Sequence, residues 1–220
     1  MIQFLSGPTS GSEGNVLQYN AQAIDQAAAN DPLTYKWDVF SEGAPTPIVS
    51  QSGVGLTNFQ FIPVDDGRFT IVLTVDDGDA GVTSQPWQAT VDGTRVDVVT
   101  VANSPPTLLL AANQTVTEGS TFALNAMLQD AGEIDTHLAT VDWGDGSPLE
   151  PAVVDEAGQR ILAGHVYPQN GVYDVTLRIR DNNMPADNWV QRSFSLTVVN
   201  AAPSADAGAD IEAVVGKFLL

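Results

Sequence analysis

Along much of the chain, apolar side chains return at every second position. Phe122, Leu124, Ala126 and Leu128 alternate with polar neighbours, and Tyr173, Val175, Leu177 and Ile179 alternate with Asp174, Thr176, Arg178 and Arg180. Phe69, Ile71, Leu73 and Val75 keep the same rule, as do Phe194, Leu196 and Val198. A period of two sends successive side chains to opposite faces of an extended backbone, so each run predicts an antiparallel strand with one face in a core and one in water. Clusters of Gly, Pro, Asn and Asp separate the runs, and no segment combines the length and caps of a helix. Only "AQAIDQAAAN" is ambiguous, being alanine-rich enough for a helical turn.

The pattern occurs twice. "SEGNVLQYNA" from Ser12 matches "TEGSTFALNA" from Thr117, Trp37 matches Trp143, and "DDGRFTIVLTVDDG" from Asp65 matches "QNGVYDVTLRIRDN" from Gln169, each about a hundred residues later. "VANSPP" at Val101 likewise returns as "VVNAAP" at Val198. These matches predict one repeat over residues 1–103, a second over 104–200, and the truncated start of a third over 201–220, with Gly216 standing where Gly119 stands. Short alternating strands, about seven per hundred residues with a tryptophan on the third, describe an all-β chain of tandem immunoglobulin-like Greek-key β-sandwiches. The proline-containing linkers "ANSPP" and "NAAPS" stiffen the connections between copies.

Composition narrows the function. Asp and Glu number 27 against 8 Lys and Arg, a formal net charge of −19. Such a surface repels nucleic acid and anionic membranes and attracts cations, although an acidic surface also serves solubility alone. With no cysteine there is neither a disulfide framework nor a thiolate metal site. No apolar run has the length of a membrane span, and "MIQFLSGPTSGSEG" lacks the features of a secretion signal, so the signal of an exported parent is expected outside this chain.

In the second copy, "VDWGDGSP" followed by "GHVYPQNGVYDVTLRIRDN" resembles the PKD-type repeat, an immunoglobulin-like β-sandwich with a W-D/G-x-G-D-G turn, then H-x-Y, then G-x-Y-x-V-x-L-x-V-x-D. The first copy keeps Trp37 without the GDG turn and has Phe59 and Phe61 where His165 and Tyr167 stand; its "DPLTYKWD" is closer to cadherin-like or general immunoglobulin-like bacterial repeats. The resemblance implies a non-catalytic spacer, adhesive stalk or accessory module of a large extracellular or cell-surface protein.

The residues themselves agree that no enzyme is encoded. Trp143 reads as a core anchor, with Gly144 and Gly146 free to take positive φ and Asp145 bonding the turn backbone, so DWGDG is a hairpin and not a catalytic Asp142/Asp145 pair. His165 is expected to pack on Tyr167 and bond the backbone, and Tyr173 to form a tyrosine corner that Phe69 cannot reproduce. His137 and His165 fit no metal or triad spacing, and no nucleophile elbow accompanies them.

Topology places the candidate chemistry elsewhere. In such a sandwich the incoming linker and the loops after the second and sixth strands meet at one pole. There the second copy carries Asn103, Asp130, Asp135 and Asp181, and the first carries Asp25, Asp31 and Asp77. Hard oxygen ligands converging from separate loops suit Ca²⁺, as in some PKD-type repeats, although Asp and Asn are also common loop formers. The expected function is a semi-rigid extracellular spacer or adhesion stalk, stiffened by calcium at its junctions, whose partners are other repeats of the same chain and a protein or polysaccharide ligand. The alternative is a carbohydrate-binding accessory module of a secreted hydrolase, with Trp87 and Trp189 as a sugar-stacking platform.

Overall fold

The computed structural model describes residues 2–25, 32–78 and 93–204. Asp31, Trp87, the second half of "AQAIDQAAAN" and the third repeat from residue 205 onward lie outside the described residues. No helix occurs among the described residues, and none is long and apolar enough to cross a membrane.

The first unit comprises β1 (Ile2–Ser6), β2 (Ser10–Ser12), β3 (Leu17–Ala23), β4 (Thr34–Ser41), β5 (Val49–Val54), β6 (Asn58–Phe61), β7 (Gly67–Asp76) and β8 (Gly93–Ala102). Its sheets run β1-β3-β6 and β2-β8-β7-β4-β5. The second comprises β9 (Thr107–Leu109), β10 (Gln114–Thr117), β11 (Thr121–Gln129), β12 (His137–Asp142), β13 (Glu150–Asp155), β14 (Arg160–Val166), β15 (Gly171–Asp181) and β16 (Val190–Val199). Here β13 hydrogen-bonds to β12 through Glu150–Ala152 and to β14 through Val153–Asp155, which joins both faces into one order, β10-β16-β15-β12-β13-β14-β11-β9. In both units the opening strand divides in two. Its first part pairs antiparallel in one sheet (β1 with β3, β9 with β11), and its second pairs parallel with the last strand of the other (β2 with β8, β10 with β16).

The period of two in the sequence is the inward face of these strands. Phe69, Ile71, Leu73 and Val75 are buried in one cluster, and Phe122, Leu124, Ala126, Leu128, Val175, Leu177 and Ile179 in another. At the centre of each cluster a tryptophan stacks on an aromatic ring. Trp37 lies on Phe59 with centroids 5.2 Å apart and planes at 10°, and Trp143 lies on His165 at 4.9 Å and 13°. Phe61 and Tyr167 extend the two stacks, contacting Phe69 and Tyr173. A fully buried tryptophan still needs a partner for its N–H. Trp37 Nε1 donates to Leu56 O at 2.9 Å, and Trp143 Nε1 to Glu150 Oε2 at 2.8 Å.

The DWGDG turn combines backbone geometry with side-chain caps. Trp143 sits one residue past β12, not within it as the sequence suggested, and Tyr167 Oη donates to its carbonyl at 2.9 Å. Asp142 and Asp145 accept the amides of Gly144 and Ser147 at 3.0 Å each. His165 contacts Tyr167 edge-on as expected, but its Nε2 meets the Asp145 carboxylate at 2.8 Å instead of the backbone, because the turn brings that carboxylate over the imidazole. Tyr173 Oη donates to Gln169 O at 3.0 Å. Burial would raise the Asp145 pKa, but the bonds from Ser147 and His165 outweigh it and hold the group down at about 2. A general acid requires the opposite shift.

Two stability predictions follow from this turn. Gly144 (φ +75°) has the Asp174 carbonyl oxygen 2.6 Å from where a Cβ would sit, whereas Gly146 (φ +85°) faces open space. Gly146→Ala should therefore cost about 1–2 kcal/mol for the left-handed conformation alone, and Gly144→Ala clearly more; equal losses in urea unfolding would contradict the packing described. For Asp145 the folded pKa lies below the unfolded value, so its stabilisation is full above about pH 4 and lost as pH falls toward 2. The wild type should thus lose about 2 kcal/mol more than Asp145→Asn between pH 5 and pH 2, read from denaturant titrations at each pH.

Candidate metal centre

The chain between the units is four residues long, Asn103 to Pro106, between the ends of β8 and β9. Its neighbours are the turn after β2, the loop between β6 and β7, the loop that follows β11, and the end of β15 with the loop beyond it. These five segments carry Glu13, Asp65 and Asp66 from the first unit, Asn103 and Ser104 from the linker, and Asp130, Asp135 and Asp181 from the second.

Glu13 fastens the linker. Its backbone N–H donates to Ala102 O at 3.2 Å, its Oε2 accepts the Ser104 amide at 2.8 Å, and its carbonyl accepts the Ser104 hydroxyl at 3.3 Å. The first unit then approaches so closely that a Cβ on Gly14 would stand 2.8 Å from the Cβ of Ala131. Asn183 Nδ2 donates to Asp66 Oδ1 across the same gap.

Asp181 organises the loop beyond β15. It is 1% exposed, its Oδ1 accepts the amides of Asn183 and Met184 at 2.8 and 2.7 Å, and its Oδ2 accepts from Asn103 Nδ2 at 3.0 Å. Asp130 caps its own loop through the Gly132 amide at 3.2 Å and meets His137 Nε2 at 2.7 Å. The other ring nitrogen of His137 is 2.9 Å from Glu156 Oε2. Burial lowers the His137 pKa, but these two carboxylates more than reverse that and leave it raised.

The remaining oxygens have no such partners. Among the described residues, Glu13 Oε1, Asn103 Oδ1 and both oxygens of Asp135 are buried without a hydrogen-bond donor. Glu13 is 2% exposed and Asp135 7%. A buried acceptor left unpaired costs about 1–3 kcal/mol, and a charged one more. Burial first, then repulsion from Glu13, Asp130, Asp181 and Asp65, pushes Asp135 up to about 7. Burial, with Asp66, Asp130 and Asp65 nearby, likewise raises Glu13 against the lowering effect of the Ser104 amide.

The donor set fits a hard cation. One carboxylate oxygen from each of Glu13, Asp130 and Asp135 lies within 4.8 Å of the others, and the same holds for Glu13, Asp65 and Asp66. Ligands about 2.3–2.6 Å from a calcium ion are at most about 5 Å apart, and Ca²⁺ takes 6–8 oxygens from carboxylates, amides and carbonyls in irregular geometry.

Of the residues the sequence singled out, Asn103, Asp130, Asp135 and Asp181 are brought to one place. Asp25 and Asp77 are not among them. They follow the far ends of β3 and β7, whose near ends adjoin Glu13 and Asp66, so they occupy the opposite pole of the first unit. Glu13, Asp65 and Asp66 were missed, because pole-by-pole reasoning within one sandwich ignores what the preceding sandwich contributes. The repeat match held a signal. Glu118, the counterpart of Glu13, accepts the Ala201 amide at 3.1 Å, as Glu13 does that of Ser104. Trp189 is half-buried, with the Arg180 guanidinium carbon over its ring, 5.2 Å from the centroid. Surface depressions of about 370 Å³ beside Arg68 and about 410 Å³ beside Asp25 contain no histidine.

The PKD domain family model matches residues 103–198. Among solved structures, the PKD domain of an M14-like peptidase from a Thermoplasmatales archaeon is 20% identical, with 44% of this chain covering 98% of that one at a TM-score of 0.32. A marsupial T cell receptor is 12% identical, with 93% of this chain covering 76% of that one at a TM-score of 0.34. No curated protein sequence matches the chain significantly. Residues 103–198, the second unit, thus match the PKD domain family model, which supports a PKD-type immunoglobulin-like repeat there.

Proposed function

We propose that the chain is a non-catalytic segment of an extracellular repeat protein, a spacer or adhesion stalk, in which Ca²⁺ bound between the two sandwiches fixes their relative orientation. PKD domains are typically non-catalytic and occur in extracellular proteins, which supports the coarser part of this reading. The finer part rests on one observation. Glu13, Asn103 and Asp135 bury four oxygens without donors at the one place where the first unit, the linker and the second unit meet.

The mechanism is electrostatic. Without a cation the facing carboxylates repel, so the closed junction is strained and the units are driven apart. A bound Ca²⁺ supplies the missing partner to each oxygen, and because its ligands come from both sides it acts as a cross-link. Asn103 and Ser104 keep the linker in register while Asp181 holds Asn103.

Binding to the closed form alone stabilises it by about 2.7 kcal/mol at a hundredfold excess over Kd. For a chain of this size that corresponds to a rise in Tm of about 5–10 °C. Thermal melts in millimolar Ca²⁺ should thus lie above those in EDTA, and superimposed curves would remove the reading. Asp135→Asn relieves repulsion but removes a ligand. Its melting temperature in EDTA should equal or exceed that of the wild type, while its response to Ca²⁺ should be largely lost.

A further inference from the structure

The carboxylates at the junction form two groups, not one. Glu13, Asp65 and Asp66 each place an oxygen within 4.8 Å of the others, and so do Glu13, Asp130 and Asp135. All five together do not meet that limit. Two compact groups that share one residue suit two ions about 2.3–2.6 Å from their ligands better than one ion held by all five. Only Glu13 belongs to both, and it is buried, with Oε1 lacking a donor while Oε2 takes the Ser104 amide.

Charge points the same way. Glu13, Asp65, Asp66, Asp130, Asp135 and Asp181 bring six carboxylates together, with His137 the basic group against Asp130. One divalent ion offsets two of those charges and leaves the group on the other side of Glu13 unmatched. Carboxylates that bridge two divalent ions about 3.5–4 Å apart are an established arrangement in binuclear sites. From these observations, and resting on the calcium reading above, we infer that the junction holds two Ca²⁺ ions bridged by Glu13. One is bound on the first-unit side by Asp65 and Asp66, and the other on the second-unit side by Asp130 and Asp135.

The repeat shows that the first-unit ion is a feature of this junction. The second unit keeps the linker clamp, with Glu118 accepting the Ala201 amide, but Gln169 and Asn170 stand in place of Asp65 and Asp66. Neutral amides supply oxygens without the charge that draws a divalent cation out of water. The Glu13 junction is thereby set apart from the one that Glu118 begins.

Titration of Ca²⁺ into the chelator-treated 220-residue chain, followed by calorimetry and by equilibrium dialysis, tests the inference by counting ions. The double variant Asp65→Asn/Asp66→Asn should bind one ion fewer than the wild type, and Asp135→Asn should also lose one. Glu13→Gln should weaken both sites at least tenfold, as the shared ligand. Circular dichroism in EDTA verifies that each variant is folded; if the double variant is not, Asp65→Asn alone serves the same comparison, with its first-unit ion weakened at least tenfold. Should Asp65→Asn/Asp66→Asn bind as many ions as the wild type while Asp135→Asn binds one fewer, the second ion is refuted and a single calcium at the junction stands. Should Asp135→Asn also bind as many as the wild type, the calcium junction itself is refuted.

Discussion

A carboxylate sealed between two protein surfaces must find donors or a cation or else take up a proton, because burying an unpaired charge costs several kcal/mol. Glu13 is in that position, and the rest of the junction follows from how its two oxygens are used. Oε2 is spent on the Ser104 amide, which sets the path of the linker and brings Gly14 against Ala131. Oε1 is buried without a donor in a residue that has acidic groups of both units beside it. The linker bond and the close approach hold the acidic loops near each other even though their charges oppose it. The proposed Ca²⁺ acts on that tension.

The cores below the junction are independent of it and resemble each other closely. Trp37 on Phe59 and Trp143 on His165 are the same stack with a different second ring, and Phe61 and Tyr167 occupy the next place. The exchange of Phe59 for His165 is accompanied by the GDG turn, since an imidazole in that place needs the Asp145 carboxylate and a phenyl ring does not. The absent GDG turn and the exchange of His165 for Phe59 are thus one structural change.

Strands and cores were legible in the sequence because they depend on a local rule, alternation of apolar and polar side chains, and because the chain states it twice. The tryptophans, the turn glycines and the Tyr173 bond to an upstream carbonyl follow from side-chain size and backbone sterics at single positions. The partner of His165 was not legible, since nothing local distinguishes a carboxylate acceptor from a backbone one. At the junction, Asn103, Asp130, Asp135 and Asp181 could be found from strand direction alone. Glu13, Asp65 and Asp66 could not, because they belong to the facing end of the other unit, and their proximity depends on linker length and on the hydrogen bonds that fold the linker back. The sequence also could not separate Asp181, whose oxygens serve the loop and Asn103, from Asp135, whose oxygens serve nothing in the protein.

Orientation between the units is the property that the proposed ions control, and small-angle X-ray scattering of the chain with and without Ca²⁺ measures it most directly. The account predicts a single extended conformation in Ca²⁺ and a broader, flexing ensemble in EDTA, with the Ca²⁺ effect abolished by Glu13→Gln. Indistinguishable scattering curves in Ca²⁺ and EDTA, from protein shown to be folded in both, would contradict it.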